Sequence, residues 1–168
     1  MTTVILAVDP GVHRLGLAIC DLVTGSPLWC GSHPITEKHR GRTHTQIGAA
    51  LTFAADGNEP AIVAVEDPTH ASRGKKQAAQ WGGVIALVEA MAAGRWPHIE
   101  FWRISPPGWK KAVGLAGNCP RDEYVLWAGR NGWECGRFAD GSVDHDAAAA
   151  AGVARWAFLT NQRGQVAA

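Results

Sequence analysis

The sequence predicts an α/β fold: a five-stranded mixed sheet flanked by helices. Three observations carry that reading. Short, β-rich apolar runs end on turn residues, as in "VILAVDPG" (4–11). The first three runs follow one another closely enough to form an antiparallel meander. The later runs alternate with segments of helical periodicity, which requires crossover connections and so places helices against the sheet.

The first strand is read at 4–8 and is stopped by Pro10-Gly11, the second at 15–21, and a short third at 28–32 after the turn Thr24-Gly25-Ser26-Pro27. "HRGRTH" (39–44) is basic and polar. A helix follows over 45–55, with Ile47, Ala50, Leu51 and Ala54 on one stripe. Residues 61–65 form a continuous apolar run, as expected of a strand buried on both faces, and it ends in Glu66-Asp67-Pro68. The longest helical pattern covers 75–93. Gly82-Gly83 in its middle weakens it by about 1 kcal/mol per glycine, and points to close approach of another helix or a ligand. A fifth strand is read at 98–104, a turn at Ser105-Pro106-Pro107 leading into "GWKKAVG", a helix at 121–130, an irregular segment at 132–141, and an Ala-rich helix over 144–159. The tail after about residue 160 reads as frayed. There is no internal repeat or clear linker, so the 168 residues are read as one domain.

Composition narrows the function. Hydrophobic residues make up 46% and charged ones 18%, which is globular rather than disordered. A net charge of +1 excludes a global polycation, so any nucleic-acid contact must come from local basic patches. The four cysteines contain no C-x-x-C pair, which argues against a zinc knuckle or a disulfide framework and for reduced thiols in a cytosolic setting. The apolar start is too short to span a membrane and lacks the flanks of a signal peptide. Of the eight tryptophans, most are expected in core or interface and a few as stacking platforms.

The acidic residues carry the chemistry. A right-handed crossover from the meander would make strand 61–65 parallel to strand 4–8. Asp9 and Glu66 would then end at one edge of the sheet, where open α/β sheets place their active sites. Asp144 and Asp146 open the last helix, in "VDHDAAAAAGVARW". If that helix packs over the two strands, all four carboxylates face one spot, and such a cluster repels itself without a cation. Mg²⁺ or Mn²⁺ suits it, being a hard ion that takes carboxylate oxygens and keeps waters for a phosphate. Each acid alone has a plainer explanation: Asp9 as a turn initiator, Glu66 as a solvated strand end, Asp144 as an N-cap with Asp146 in the favoured first turn. His145, between the two aspartates, is read from its position as a site residue, behind the ligands or as a proton donor to the leaving oxygen, with a polar first-turn residue as the plainer reading.

"ILAVDPGVHRLGLAICD", "AIVAVED", "ISPPGWKKAVGLAG" and "VDHDAAAAAGVARW" resemble, in that order, segments of the RuvC-like Holliday junction resolvases of the RNase H-like nuclease superfamily. The resemblance covers residues 4–159 and implies an RNase H-like fold. It implies a homodimeric endonuclease, a crossover junction endodeoxyribonuclease, that nicks four-way or branched DNA symmetrically with two Mg²⁺ ions per site, Mn²⁺ substituting. By position, Asp9 matches the first catalytic aspartate and Glu66 the catalytic glutamate. Asp146, or Asp144 and Asp146 together, matches the final acidic pair, and these four would hold the metal. His145 would act as a proton donor or from behind the ligands, and Lys111 or its neighbour Lys110 would contact the scissile phosphate. Three basic patches would bind DNA through Arg40, Arg42, Arg73, Lys75, Lys76, Lys110 and Lys111, although solvated surface is the usual reading of any one patch. Trp81 is a candidate wedge at a junction, with core packing the first reading. Helix 75–93 resembles the dimerisation helix. The implied setting is the cytoplasm of a bacterial or phage-infected cell. One departure stands out: many bacterial members space the final acids three residues apart, whereas here they are two apart with His145 between, and 147–151 is all alanine.

Three rivals remain. The pre-ribosomal-RNA nuclease branch of the same superfamily shares the pattern His13-Arg14-Leu15-Gly16-Leu17-Ala18 but generally lacks the V-E strand end and the long basic helix. An actin-like kinase also begins D-x-G, but that architecture needs two such domains, and no second phosphate loop is visible. A catalytically inactive nucleic-acid-binding module would not need four intact acids.

Overall fold

The computed structural model describes residues 2–35, 40–69, 74–138 and 140–167, with the side chains of 40–42 and 166–167 also outside the described set. Its sheet has the order β3-β2-β1-β4-β5. Strands β1 (Thr3–Pro10), β2 (Arg14–Asp21) and β3 (Pro27–Pro34) form the expected antiparallel meander. β4 (Glu59–Glu66) lies parallel to β1, and β5 (Glu100–Ile104) parallel to β4. The mixed five-stranded α/β architecture is therefore the one read from the sequence.

Alternation along each strand sends successive side chains to opposite faces and builds two cores. On one face Ile5, Ala7, Ala18 and Ala64 meet α3 (Pro106–Ala112), α4 (Arg121–Arg130) and α5 (His145–Ala167). On the other, Leu6, Val8, Leu17 and Val63 meet α1 (Arg40–Ala55) and α2 (Lys75–Arg95).

Several boundaries differ from the sequence reading. α1 begins at Arg40, five residues before the start read from the sequence, so residues 40–44 of the basic patch belong to its N-terminal end. That end has no apolar stripe to announce a helix. Residues 106–112, where the sequence reads a turn at Ser105-Pro106-Pro107 leading into "GWKKAVG", form helix α3. Its two prolines occupy the first helical positions, where a missing N–H costs nothing, and Trp109 is fully buried beneath it. The tail expected to fray continues α5 to Ala167. β5 starts at Glu100, two residues later than expected. Apart from the backbone of α2 itself, Gly82 and Gly83 have nothing among the described residues within 4 Å of an added Cβ, so no described helix makes the close approach expected there of a helix or a ligand.

Candidate active site

Pro10 ends β1 and Glu66 ends β4, and the parallel register pairs Val8 with Val65. Asp9 and Glu66 consequently arrive side by side at the C-terminal edge of the sheet. α5 is brought over that edge by a glycine: a Cβ on Gly16 of β2 would collide with the backbone carbonyl of Asp146. Only a residue without a side chain lets the helix start sit this close to the strand. Asp144 fixes where the helix begins, its Oδ1 accepting a hydrogen bond from the Ala147 N–H at 3.0 Å, the N-cap geometry. Asp146, in the first turn, then faces the two strand-end acids across a cavity of about 290 Å³.

Glu66 is buried and held from behind. The indole Nε1–H of Trp109 donates to its Oε1 at 3.2 Å, and the Trp109 ring lies so close on α5 that a Cβ at Gly152 would overlap it. Burial pushes the Asp9 carboxyl well above its usual range, and the neighbouring Glu66 charge and hydrogen bond push it further. Glu66 is also raised by burial, against the opposing effects of its bonds from Asp9 and Trp109 and the Lys110 charge. Asp146 is raised by burial and by the charge of Asp144, with Arg121 and Arg14 acting the other way. The site is thus an electronegative cluster that retains protons when it has no cation.

Lys110 is the lysine of the "WKK" pair that lines the cavity. Its Nζ lies 5.2 Å from the Tyr124 ring centroid and 3.5 Å from the Cys119 carbonyl. Lys111 is exposed and does not line it. Asp144 is buried in its capping role and also stays outside the cavity lining. His145 points toward α4, its Nε2 3.9 Å from Asp122 Oδ1 and its ring edge-on to Tyr124. Trp81 belongs to neither core; half-buried, it forms part of the cavity wall. Lys75 and Lys76 are exposed at the start of α2. Arg73 lies outside the described residues, as do the side chains of Arg40 and Arg42.

Three cavity residues were missed in the sequence. Arg121 and Tyr124 come from α4, a short helix with no motif, and Arg121 is visible only as the first residue after Pro120. Trp109 was read only as the flank of two lysines. Ala149 also lines the cavity, one turn beyond Asp146. That is where an acid pair spaced by three would place its second carboxylate, and this chain offers a methyl.

The donor set fits a hard divalent cation. Two carboxyls in hydrogen-bond contact and a third facing them supply only oxygens, and burial and neighbouring carboxylates push all three above their ordinary range. No three acidic, His or Cys groups among the described residues are closed into a cage. Mg²⁺ does not need one, since it is commonly bound by one or two carboxylates with waters and substrate phosphate completing its shell.

No protein-family model matches the sequence, and no curated protein matches it. Solved structures do. The chain is similar to Thermus thermophilus RuvC in complex with Holliday junction substrate, with a TM-score of 0.72 and 18% identity over 95% of this chain and 96% of that one. A second T. thermophilus RuvC structure gives 0.70 and 20%, over 96% and 97%. The yeast mitochondrial Holliday junction resolvase Ydc2 gives 0.51 and 15%, over 98% and 83%. Over nearly its whole length, then, this chain has the RNase H-like fold of RuvC, the architecture in which its strand-end acids were expected to meet.

Proposed function

We propose that this protein is a divalent-metal-dependent endonuclease that resolves Holliday junctions or other branched DNA by phosphodiester hydrolysis. The observation that carries the reading is the meeting of Asp9, Glu66 and Asp146 in one cavity with Lys110 and Arg121 beside them. The fold adds support, because a neighbour with the same fold is a complex with a Holliday junction.

Asp9, Glu66 and Asp146 would hold Mg²⁺, two ions in the full site, and bound cations would polarise the phosphoryl oxygen and lower the pKa of the attacking water. The chain's own residues divide the remaining work. Trp109 fixes the Glu66 carboxylate in one orientation, so that it need not reorganise when charge develops. Lys110, seated over the Tyr124 ring, offers a positioned cation to a phosphate oxygen. Arg121 opens α4 with its guanidinium near Asp9 and Asp146, where a bidentate grip on phosphate is available. Trp81 gives the cavity an aromatic wall against which a base can stack. Lys75, Lys76 and Lys111 extend the positive surface for backbone phosphates.

We read the active form as a homodimer that nicks symmetrically, acting in the cytoplasm of a bacterial or phage-infected cell as a single nuclease domain. The dimer reading is supported by α2, where Gly82 and Gly83 leave an approach that no described residue fills. Among the described residues, no helix is long and apolar enough to cross a membrane.

The test is a Mg²⁺-titrated cleavage assay on labelled four-way junction, fork, linear duplex and RNA–DNA hybrid, with EDTA and Asp146→Asn controls. Paired symmetric nicks in the junction, absent in both controls, are expected. Cutting of forks alone would discard the resolvase role. Binding without cutting would favour the inactive module.

A further inference from the structure

All four cysteines are free thiols, and two of them are neighbours in space. Cys20 is buried and its Sγ points to the Ala154 carbonyl at 3.9 Å; Cys119 is buried separately in the same core. Cys30 and Cys135 differ from these. They are 105 residues apart in sequence, yet the Cys30 thiol donates to the Cys135 sulfur at 3.1 Å. A disulfide needs about 2.05 Å, so roughly 1 Å of closure separates the pair from a covalent bond.

The two sulfurs belong to different parts of the molecule. Cys30 sits in the edge strand β3. Cys135 lies in the segment that joins α4 to α5, and that segment leads directly to the acidic helix start. The Gly136 carbonyl accepts the Asp144 N–H at 3.1 Å, and Arg137 bridges to Val143. Phe138 lies under the Arg14 guanidinium at 4.4 Å. A cavity of about 360 Å³ lined by Cys30, Trp29 and Trp133 opens on the Cys30 side of the pair, and Cys135 is itself partly exposed. The thiols are also chemically unequal: the hydrogen bond holds the Cys135 thiol below its usual pKa range and, with burial, the Cys30 thiol above it.

We propose that Cys30 and Cys135 form a reversible disulfide that fastens the segment leading into α5 to the edge strand β3. The oxidant is a low-molecular-weight disulfide such as oxidised glutathione. The Cys135 thiolate attacks one of its sulfurs and expels one thiolate, leaving a mixed disulfide. Cys30 gives its proton to water and attacks the Cys135 sulfur, and the second thiolate leaves. Two protein thiols are oxidised and one small disulfide is reduced to two thiols. The cross-link closes a long loop, the case in which constraint of the unfolded chain is greatest.

The full chain is incubated with oxidised glutathione or with dithiothreitol, then examined by intact mass, by alkylation in denaturant and by thermal melting. Oxidation should remove about 2 Da, protect two of the four thiols, link the Cys30 and Cys135 peptides, and raise the melting temperature by about 5–15 °C. Dithiothreitol should reverse all of these. Cys30→Ser and Cys135→Ser should each abolish the link, and Cys20→Ser should retain it. Four alkylatable thiols after oxidation, a glutathione adduct without the internal link, a link through other cysteines, or a link with unchanged melting would each overturn the proposal. The mass readout on the unsubstituted protein does not depend on whether any variant folds.

Discussion

The two faces of the sheet are packed by opposite rules. The face under α5 is lined mainly by small residues: Ala7, Ala18 and Ala64 on the strands beside Ile5 and Ile62, and Ala147 to Ala151, Gly152, Ala154 and Ala157 on the helix. The face under α1 and α2 is lined by Leu6, Val8, Leu15, Leu17, Ile19, Val63 and Val65. Large branched side chains fill space and tolerate some repacking. Small ones bring backbones together, and any added atom must move an element. The chain uses the first rule where it needs only stability and the second where a helix must deliver Asp146 to a fixed place. The difference teaches that mutations on the two faces should separate folding from catalysis.

The largest expected effect comes from the acids themselves. Asp9→Asn and Glu66→Gln should each lower cleavage by about 10³-fold or more, since metal-assisted charge stabilisation is worth several kcal/mol. DNA binding should survive. Cleavage by either variant at near the parent rate, in a Mg²⁺-dependent single-turnover assay, would remove the residue from the site.

Next in size are the substitutions that set one face against the other. Gly16→Val drives a side chain into the Asp146 carbonyl, so it should move the start of α5, lower the melting temperature and remove most cleavage even in the fraction that stays folded. Leu6→Ala, fully buried on the other face, should cost about 2–5 kcal/mol of stability and leave cleavage per folded molecule unchanged. Denaturant unfolding alongside active-site titration checks both. A Leu6→Ala protein that is stable but inactive would break the division.

How far this division was legible follows from what sequence patterns record. Strand alternation and the stops at Asp9-Pro10-Gly11 and Glu66-Asp67-Pro68 are local signals, and they located both strand-end acids. The Ala run of α5 announced a helix but not its partner; the need for small residues opposite appears only when Gly16 and Gly152 are seen against Asp146 and Trp109. Which of Asp144 and Asp146 faces the cavity turns on a cap hydrogen bond that either aspartate could make. α3 was hidden by its prolines, and α1's first turn by its polarity. The Trp109–Glu66 bond and the Cys30–Cys135 contact join residues 43 and 105 positions apart, distances over which a single sequence carries no pairing signal.

A smaller effect concerns pH. Asp9, Glu66 and Asp146 all have folded values raised above their ordinary ones. The folded protein therefore keeps protons that the unfolded chain has released. Stability from this source is complete below the ordinary carboxylate values, 3.8 for Asp and 4.5 for Glu, and is lost as pH rises toward the raised folded values. In EDTA the melting temperature should fall as pH is raised from 5 to 8. Asp9→Asn should flatten that fall, and Mg²⁺ should oppose it most at the higher pH, where the carboxylates are free to bind it. A metal-free melting curve independent of pH would contradict the electronegative cluster.

The smallest effect tests the hydrogen bond behind Glu66. Trp109→Phe keeps an aromatic ring against Gly152 and Tyr124 and removes only the Nε1–H that donates to Glu66. That bond favours the charged carboxylate and works against its burial. Without it the Glu66 carboxyl should rise further, so the acid limb of the pH–rate profile should move to higher pH. A hydrogen bond to a charged group is worth about 1.5–3 kcal/mol, which sets a loss of up to about 10- to 150-fold on the acid limb. Because a pKa effect vanishes once the group is ionised, the variant should approach the parent rate at the alkaline end. A loss of equal size at every pH would instead mean that the bond acts by orienting the Glu66 carboxylate, or that the ring acts by packing α3 and α5, and not through the Glu66 pKa.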